Sequence, residues 1–196
     1  MIRVINKTSK RKNPSDNKLF LEEYFPDIKF TLFAGGKDKE VHKFTITKSI
    51  IVDNVLLKPG KYVILLPHEF IEYYNVKLLN RINLFSKYGL IPKIYVYNKN
   101  FIIMKCIEGD NLSDVFHKFS KQEKIKIVNK IEDLISVFHK LKFVHGDLTI
   151  ANVLITSTGK LYIIDPNELI EDYEFDTYKQ GDIEDLAYIR KKYNLV

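Results

Sequence analysis

The sequence predicts an α+β fold in two lobes, with an antiparallel β-sheet and one helix in the first lobe and mainly helices in the second. Between residues 28 and 67, short β-branched or aromatic runs alternate with turn-forming segments. Between residues 121 and 140, apolar residues recur at i, i+4, i+7 and i+8, which is typical of a helix with one buried face. A chain of 196 residues is long enough for one ordinary domain or two small lobes.

The composition is that of an ordinary globular protein. Hydrophobic residues make up 45% of the chain and charged residues 29%, which excludes global disorder. The net charge of +6 favours phosphate-bearing partners but is too small to establish nucleic-acid binding. Cys106 is the single cysteine, which excludes an internal disulfide framework and a cysteine-based zinc cluster. No apolar run approaches the roughly 20 residues that span a bilayer, so we expect a cytoplasmic protein without a transmembrane segment.

A basic arm is expected at the N-terminus, over residues 1–24. Residues 6–18 carry five basic residues and no large apolar residue, so this segment is expected to be solvated. Two interpretations are open. The arm is either a mobile tail or a basic contact with nucleic acid or another anionic surface.

The first lobe is expected over residues 25–104. Its strands are followed by one helix, residues 68–88, and Gly89 with Pro92 behind it ends this helix. The apolar stripe of the helix consists of Ile71, Leu78, Ile82 and Phe85. Two further strands flank residues 98–100, which predicts a hairpin.

The second lobe, residues 105–196, is expected to be mainly helical. Ser120 and Glu123 have the spacing of a capping box at the start of the long helix. Strands on either side of residues 157–160 predict a second hairpin, and residues 182–193 predict a last helix.

Three polar residues of the second lobe form the most informative pattern in the chain. If the predicted hairpin turns about the Thr158–Gly159 pair, Asn152 and Asp165 lie opposite each other, with Cα atoms about 4.5–5.5 Å apart. Two such oxygen-bearing side chains suit Mg²⁺, which takes a few protein oxygens and completes its shell with phosphates and water. Asp147, five residues before Asn152, would supply a carboxylate that orients a hydroxyl.

A purely structural interpretation of the same residues stays open, because Asp and Asn are common in turns and at strand ends. None of the five histidines lies in a metal-binding motif. We expect His139 and His145 to be hydrogen-bonded scaffold rather than catalysts.

The run HGDLTIAN, residues 145–152, resembles the catalytic loop of protein-kinase-like phosphotransferases, whose pattern is H-x-D-x-x-x-x-N, followed by a hairpin and a metal-binding Asp. Its HGDL form is closer to the atypical branch than to ordinary protein kinases. That branch includes the RIO kinases, the small kinase of the tRNA threonylcarbamoylation machinery, aminoglycoside and choline phosphotransferases, and lipopolysaccharide-core sugar kinases. The resemblance covers most of residues 30–190. It implies a two-lobed protein-kinase-like fold, with ATP between a β-sheet lobe and a truncated, mainly helical lobe.

The resemblance implies a role for each polar residue of the pattern. Asp147 would accept or orient the proton of the attacking hydroxyl. Asn152 and Asp165 would hold Mg²⁺ on the β- and γ-phosphates of ATP. Asp185 would be a buried brace that supports the catalytic loop from a late helix.

The resemblance also implies a set of nucleotide-binding residues. Met104 would be the gatekeeper of the hinge, and the backbones of Lys105 and Ile107 would contact adenine. Gly35 and Gly36 would lie in the loop that covers the phosphates, where the lack of a side chain lets backbone N–H groups approach closely.

Two departures from the family pattern matter. Lys58 has the spacing of the phosphate-pairing lysine, with Glu72 as its partner, but the strand YVILLP fits the same place and would put Leu65 there. The metal-binding motif continues with Pro166 and Asn167 rather than Phe and Gly. Because Pro fixes φ and lacks an N–H donor, the usual activation switch is not expected.

These features predict an ATP- and Mg²⁺-dependent phosphotransferase that moves the γ-phosphoryl group to a hydroxyl. Only 31 residues follow Asp165, too few for the peptide-docking helices of an ordinary protein kinase. The acceptor is therefore expected to be a small molecule, a sugar or one dedicated macromolecule. The alternatives are a pseudokinase that binds nucleotide as a scaffold, and an RNA-linked kinase or ATPase subunit of a larger complex.

Overall fold

The computed structural model describes most of the chain, in two compact units. The described residues are 3–5, 17–35, 39–67, 85–98, 100–165 and 175–195. One unit is formed by Met1–Ser86 and Lys93–Cys106, and the other by Lys87–Pro92 and Ile107–Val196. The predicted α+β class is confirmed, since the first unit is built on β-sheets and the second holds the two longest described helices.

The first unit is built on a five-stranded antiparallel sheet. In chain order, the elements of this unit are β1 (Arg3–Ile5), α1 (Asn17–Tyr24), β2 (Phe30–Gly35), β3 (Lys39–Ile46), β4 (Ile50–Val52), β5 (Val55–Leu57), β6 (Gly60–Pro67), β7 (Ile94–Tyr97) and β8 (Ile102–Lys105). The large sheet has the strand order β2–β3–β6–β8–β7. Along β6, the residues Tyr62, Ile64 and Leu66 are buried while Val63 and Leu65 are half-buried, which is the alternation expected of a strand.

A second, smaller sheet in this unit corrects the prediction for the N-terminus. β1 runs parallel to β4, and β4 pairs antiparallel with β5. α1 contributes three buried side chains to the core that it shares with the large sheet, namely Phe20, Leu21 and Tyr24. The expected basic arm over residues 1–24 is therefore wrong for residues 17–24, because apolar residues one and four positions apart give this segment a face to bury. Residues 6–16 lie outside the described residues.

Only the end of the predicted helix 68–88 falls within the described residues. Residues 85–87 are helical, and Gly89 follows with φ +67°, the left-handed conformation that commonly ends a helix. The other residues of the predicted stripe, and Glu72 with them, lie outside the described residues.

The second unit holds a small sheet and two long helices. Its elements are β9 (Asp110–Asn111), α2 (Leu112–Val115), α3 (Lys121–Lys140), β10 (Val153–Ile155), β11 (Leu161–Ile163) and α4 (Phe175–Lys192). The predicted capping box is confirmed at the start of α3, where the side chains of Ser120 and Glu123 each bond the other residue's backbone N–H. Among the helices of the described residues, none is both long and apolar enough to cross a bilayer.

The last helix differs from the prediction in its start and in its buried face. α4 begins at Phe175 rather than near residue 182. The apolar side chain of Ile183 is 45% exposed, whereas the carboxylate of Asp182 is fully buried. A carboxylate can occupy this interior position because both of its oxygens are hydrogen-bonded.

The β10–β11 hairpin has a different register from the predicted one. Beyond the last strand pair, Ile155 and Leu161, the Thr156 N–H donates to the Lys160 carbonyl oxygen at 2.9 Å. This bond leaves a three-residue loop that ends with Gly159 at φ +73°. This loop has one residue more than the predicted turn, so every cross-strand pair moves by one position. Asn152 therefore lies opposite Ile164, whose N–H donates to the Asn152 carbonyl oxygen at 2.9 Å. The predicted direct pairing of Asn152 with Asp165 is wrong.

Candidate active site

A buried carboxylate holds the segment His145–Asn152, which we call the 145–152 loop. Asp182 on α4 has no exposed surface. Its Oδ2 accepts hydrogen bonds from the His145 N–H at 2.9 Å and from His139 Nε2 at 2.8 Å. Its Oδ1 accepts the Gly146 N–H at 3.0 Å. Because a buried N–H without an acceptor is costly, these bonds fix the start of the loop on α4.

Asp185 makes a second contact between α4 and the loop. Its Oδ2 accepts the Leu148 N–H at 3.0 Å. Burial raises the pKa of Asp185 above its ordinary value of 3.8, the Leu148 hydrogen bond opposes this, and the charges of Asp182 and Asp147 add to the rise. The buried brace that was expected at Asp185 is thus Asp182, and Asp185 is a second, half-buried support.

The His145 ring links the loop to the end of β11. Its Nδ1 accepts the Asp147 N–H at 3.2 Å, so Nε2 is the protonated nitrogen and donates to the Ile164 carbonyl oxygen at 3.0 Å. The residue is fully buried. Both ring nitrogens are used in internal hydrogen bonds, and His139 likewise bonds Asp182, as expected of scaffold histidines.

Asp147 and Asn152 form a polar pair on the loop. Asp147 is exposed, and Asn152 lies in the 3₁₀ turn Ile150–Asn152. The side-chain amide of Asn152 donates to the Asp147 carbonyl oxygen at 2.8 Å and to Asp147 Oδ2 at 3.2 Å. Because the amide nitrogen is turned toward Asp147, the amide oxygen is the end that can ligate a cation. The pair offers an oriented carboxylate beside a hard oxygen ligand.

Asp165 has an unusual backbone conformation. Its φ is +59°, in the left-handed region that few residues other than Gly, Asn and Asp adopt. Backbone strain of this kind is often found at functional sites. Pro166 and Asn167 lie outside the described residues, so the expected lack of an activation switch stays a prediction.

The oxygen donors of this segment fit magnesium. Asn152 offers an amide oxygen and Asp165 a carboxylate, both on half-buried residues, and Mg²⁺ prefers hard oxygen ligands. Among the described residues, no three His, Cys, Asp or Glu side chains cluster in an arrangement that would hold a metal ion. A cation here would complete its shell with phosphates and water, which is how Mg²⁺ is usually bound with nucleotides.

Lys58 does not lie where a phosphate-binding lysine is needed. It follows β5 in the small sheet and is exposed. The strand that pairs with the β2–β3 hairpin is β6, and its Gly60 end lies opposite Ile46, far from the turn of that hairpin. Leu66, near the turn end, lies six positions along β6 from Gly60, or about 20 Å at about 3.3 Å per residue. The assignment of Lys58 is therefore wrong, and β6 carries Leu65 near the turn.

Of the two predicted phosphate-loop glycines, Gly35 lies at the end of β2. Gly35 is its last residue and is exposed. No described atom lies within 4 Å of the place where a Cβ on Gly35 would be, so the chain itself leaves room beside it. Gly36 lies outside the described residues.

The predicted adenine-binding residues lie in and after β8. Met104 is half-buried and pairs with Val63 in β6. The Lys105 N–H donates to the Lys93 carbonyl oxygen at 2.7 Å. Of the backbone polar groups of Lys105, the carbonyl oxygen is therefore the one expected to contact adenine. Ile107 is half-buried and lies outside any strand. Their contacts with adenine stay predictions.

A cavity of about 670 Å³ lies in the second unit. It is lined by residues around β9, α2, the start of α3 and the β10–β11 turn. Its charged lining residues are Glu108, Asp110, Lys118 and Glu123. Asp147, Asn152 and Asp165 are not among the lining residues, so this cavity does not hold an acceptor next to the polar pair.

Comparison with known proteins agrees with the pattern of the 145–152 loop. A family model described as the RIO domain matches residues 72–187, which is more than half of the chain.

Individual relatives match shorter stretches. The KEOPS complex subunit Bud32 of Pyrococcus abyssi is 36% identical over 77 residues, which is 38% of this chain and 34% of that protein. The RIO-type serine/threonine-protein kinase Rio2 of Methanocaldococcus jannaschii is 28% identical over 109 residues, or 54% of this chain and 40% of that protein. The EKC/KEOPS complex subunit bud32 of Dictyostelium discoideum is 30% identical over 113 residues, or 50% of this chain and 44% of that protein. The chain thus spans less than half the length of each of these relatives.

Proposed function

The chain belongs to the RIO domain family, an atypical branch of the protein-kinase-like superfamily, and on this basis we propose that it is an ATP- and Mg²⁺-dependent phosphotransferase. It would move the γ-phosphoryl group of ATP to a hydroxyl of a small molecule, a sugar or a dedicated protein substrate. The observation that carries the proposal is the Asp147–Asn152 pair, on a loop that Asp182 and His145 hold in place.

The reaction is an in-line displacement. The acceptor oxygen bonds to the γ-phosphorus as the bond from that phosphorus to the β–γ bridging oxygen breaks, and ADP leaves. The Asp147 carboxylate takes the proton of the hydroxyl. Asn152 donates to Oδ2 of Asp147, which fixes the rotation of the carboxylate and directs the proton to Oδ1. Most of the catalysis comes from positioning and from charge neutralisation.

Asn152 and Asp165 are the residues that would hold the magnesium ion. Their amide and carboxylate oxygens would supply two of its ligands, and the phosphates and water would supply the others. Mg²⁺, when bound with ATP, neutralises the charge that develops on the phosphoryl oxygens.

A nucleotide-binding scaffold without turnover is the second candidate. Leu65 favours it, because this residue lies where the family pattern has its phosphate-pairing lysine. A role as kinase or ATPase subunit of a larger complex is supported by the two relatives that are named as KEOPS complex subunits. The net charge of +6 would suit an RNA partner in such a complex.

Turnover of ATP separates a phosphotransferase from a scaffold. Purified protein with radiolabelled ATP and Mg²⁺ or Mn²⁺ should label itself or a member of a broad panel of hydroxyl compounds. Asp147→Asn should lower kcat by about 10²–10⁴-fold, because the variant keeps the shape of the side chain but cannot take the proton. Asp133→Asn, at an exposed aspartate on α3, is the matched control and should keep the wild-type rate.

Two results would count against the phosphotransferase. Labelling by Asp147→Asn at the wild-type rate would show that Asp147 is not the base. ATP that stabilises the protein by about 2.7 kcal/mol at 100 times Kd, with no transfer to any acceptor, would favour the scaffold instead.

A further inference from the structure

We propose that Lys39 on β3 supplies the positive charge that the phosphates of ATP would otherwise receive from a lysine on β6. This inference rests on the proposed function and names a residue for it. β6, the strand beside the β2–β3 hairpin, carries Leu65 where the resemblance requires a lysine. Lys58 lies outside this sheet, two residues before the end of β6 that is opposite Ile46. A bound triphosphate still needs a cation, because charge-assisted hydrogen bonds are the strong contacts to phosphate oxygens.

Lys39 lies on the same face of the sheet as Leu65. Val41 is directly opposite Leu65, and Lys39 is directly opposite Pro67. Directly paired residues share a face, and so do residues two apart on one strand. Lys39 is thus the diagonal neighbour of Leu65, and Cβ atoms in such positions are about 7–8 Å apart. The flexible four-carbon stem of a lysine spans this distance.

The charges on this strand are sorted between its two faces. The buried residues of β3 are His42, Phe44 and Ile46. Glu40, although next to Lys39 in sequence, belongs to that core face, where its Oε2 lies 2.9 Å from His42 Nε2. The paired residues of β3 and β6 on the other face are apolar or basic apart from Thr45. That face therefore suits an anion.

Lys39 is also better placed along β3 than Lys43 for contact with a phosphate at the turn. It is the first residue of β3, directly after the turn that follows Gly35. Lys43 shares its face but is four residues further from the turn, or about 13 Å at about 3.3 Å per residue.

Nucleotide titrations of the full chain test this assignment. Lys39→Met should weaken binding of MgATP by about 10- to 100-fold, the range for the loss of one hydrogen bond to a charged group. Adenosine should bind both proteins equally, because it has no phosphates. Lys43→Met, the same change on the same face, is the matched control and should leave ATP affinity unchanged. In Lys39→Met/Leu65→Lys, the cation returns to β6, and most of the lost affinity should return.

The outcomes separate this inference from the proposed function. Wild-type protein that binds no MgATP would overturn both. Wild-type binding with an equal affinity in Lys39→Met would overturn the inference alone. Three other results would overturn the inference, because each would indicate a structural effect. The loss of affinity in Lys39→Met could extend equally to adenosine, it could be matched in Lys43→Met, or it could fail to reverse when Leu65→Lys is added. Circular dichroism of each variant verifies that the fold is retained.

Discussion

Removal of the Asp182 carboxylate should destabilise the second unit strongly. In Asp182→Ala, the N–H groups of His145 and Gly146 lose their acceptors, and Nε2 of His139 loses its partner. A buried N–H group without an acceptor costs about 1–3 kcal/mol, so these two N–H groups alone account for about 2–6 kcal/mol. This is a large part of the roughly 5–15 kcal/mol that keeps a domain folded.

Urea unfolding followed by circular dichroism at 222 nm measures the effect, because α3 and α4 dominate the helical signal of the described residues. With a slope of about 2 kcal/mol per M, the midpoint should fall by about 1–3 M. Asp182→Asn keeps one acceptor oxygen and should lose less. Glu184→Ala, at an exposed site on the same helix, is the control and should change stability by about 0.5 kcal/mol or less. A midpoint for Asp182→Ala equal to that of the control would refute this account of the loop.

Two further predictions concern the same unit. Gly109→Ala should destabilise it by about 1–3 kcal/mol, because the new Cβ would clash with the Ile155 carbonyl oxygen. An unchanged urea midpoint would contradict this close approach. Asp185→Asn should be more stable than the wild type at neutral pH. The raised pKa of Asp185 means that folding penalises its charged form, and Asn has no charge to penalise. The side-chain oxygen of Asn can still accept the Leu148 N–H. This gain in stability should shrink as the pH falls toward 3.8, the ordinary pKa of the carboxyl group, because the carboxyl group is then protonated in the unfolded chain as well. Thermal melts of both proteins at pH 7 and pH 4 measure the gain. A gain that grows on acidification would contradict the predicted direction of the pH dependence.

Local signals were sufficient for α3 and for most of the strands. The capping box of α3 and its apolar stripe are both present as predicted, with Ile127, Ile131, Ile135 and Phe138 buried. Such features depend on residues within a few positions of each other, so a sequence pattern contains them. The Asp147–Asn152 pair belongs to the same class, because its two residues lie only five positions apart along the chain.

The errors arose where distant segments decide the outcome. Whether β5 or β6 pairs with the β2–β3 hairpin is a long-range choice, and both strands fit the pattern equally well, so Lys58 was assigned wrongly. The turn before Gly159 is compatible with loops of two or three residues, and one residue is enough to shift the register. Asp182 lies four positions before Leu186 and seven before Ile189, a helical spacing that places it on their buried face. Because Asp usually lies at the surface, this spacing did not lead to a prediction that Asp182 is buried.

The central claim is that Asn152 and Asp165 bind a magnesium ion that carries ATP, and calorimetric titration with a non-hydrolysable ATP analogue tests it most directly. The wild-type protein should bind the analogue more tightly with Mg²⁺ than with EDTA, and Asp165→Ala should bind it equally weakly in both. Binding by the wild type that is indifferent to Mg²⁺, or binding by Asp165→Ala that keeps its full dependence on Mg²⁺, would contradict the claim.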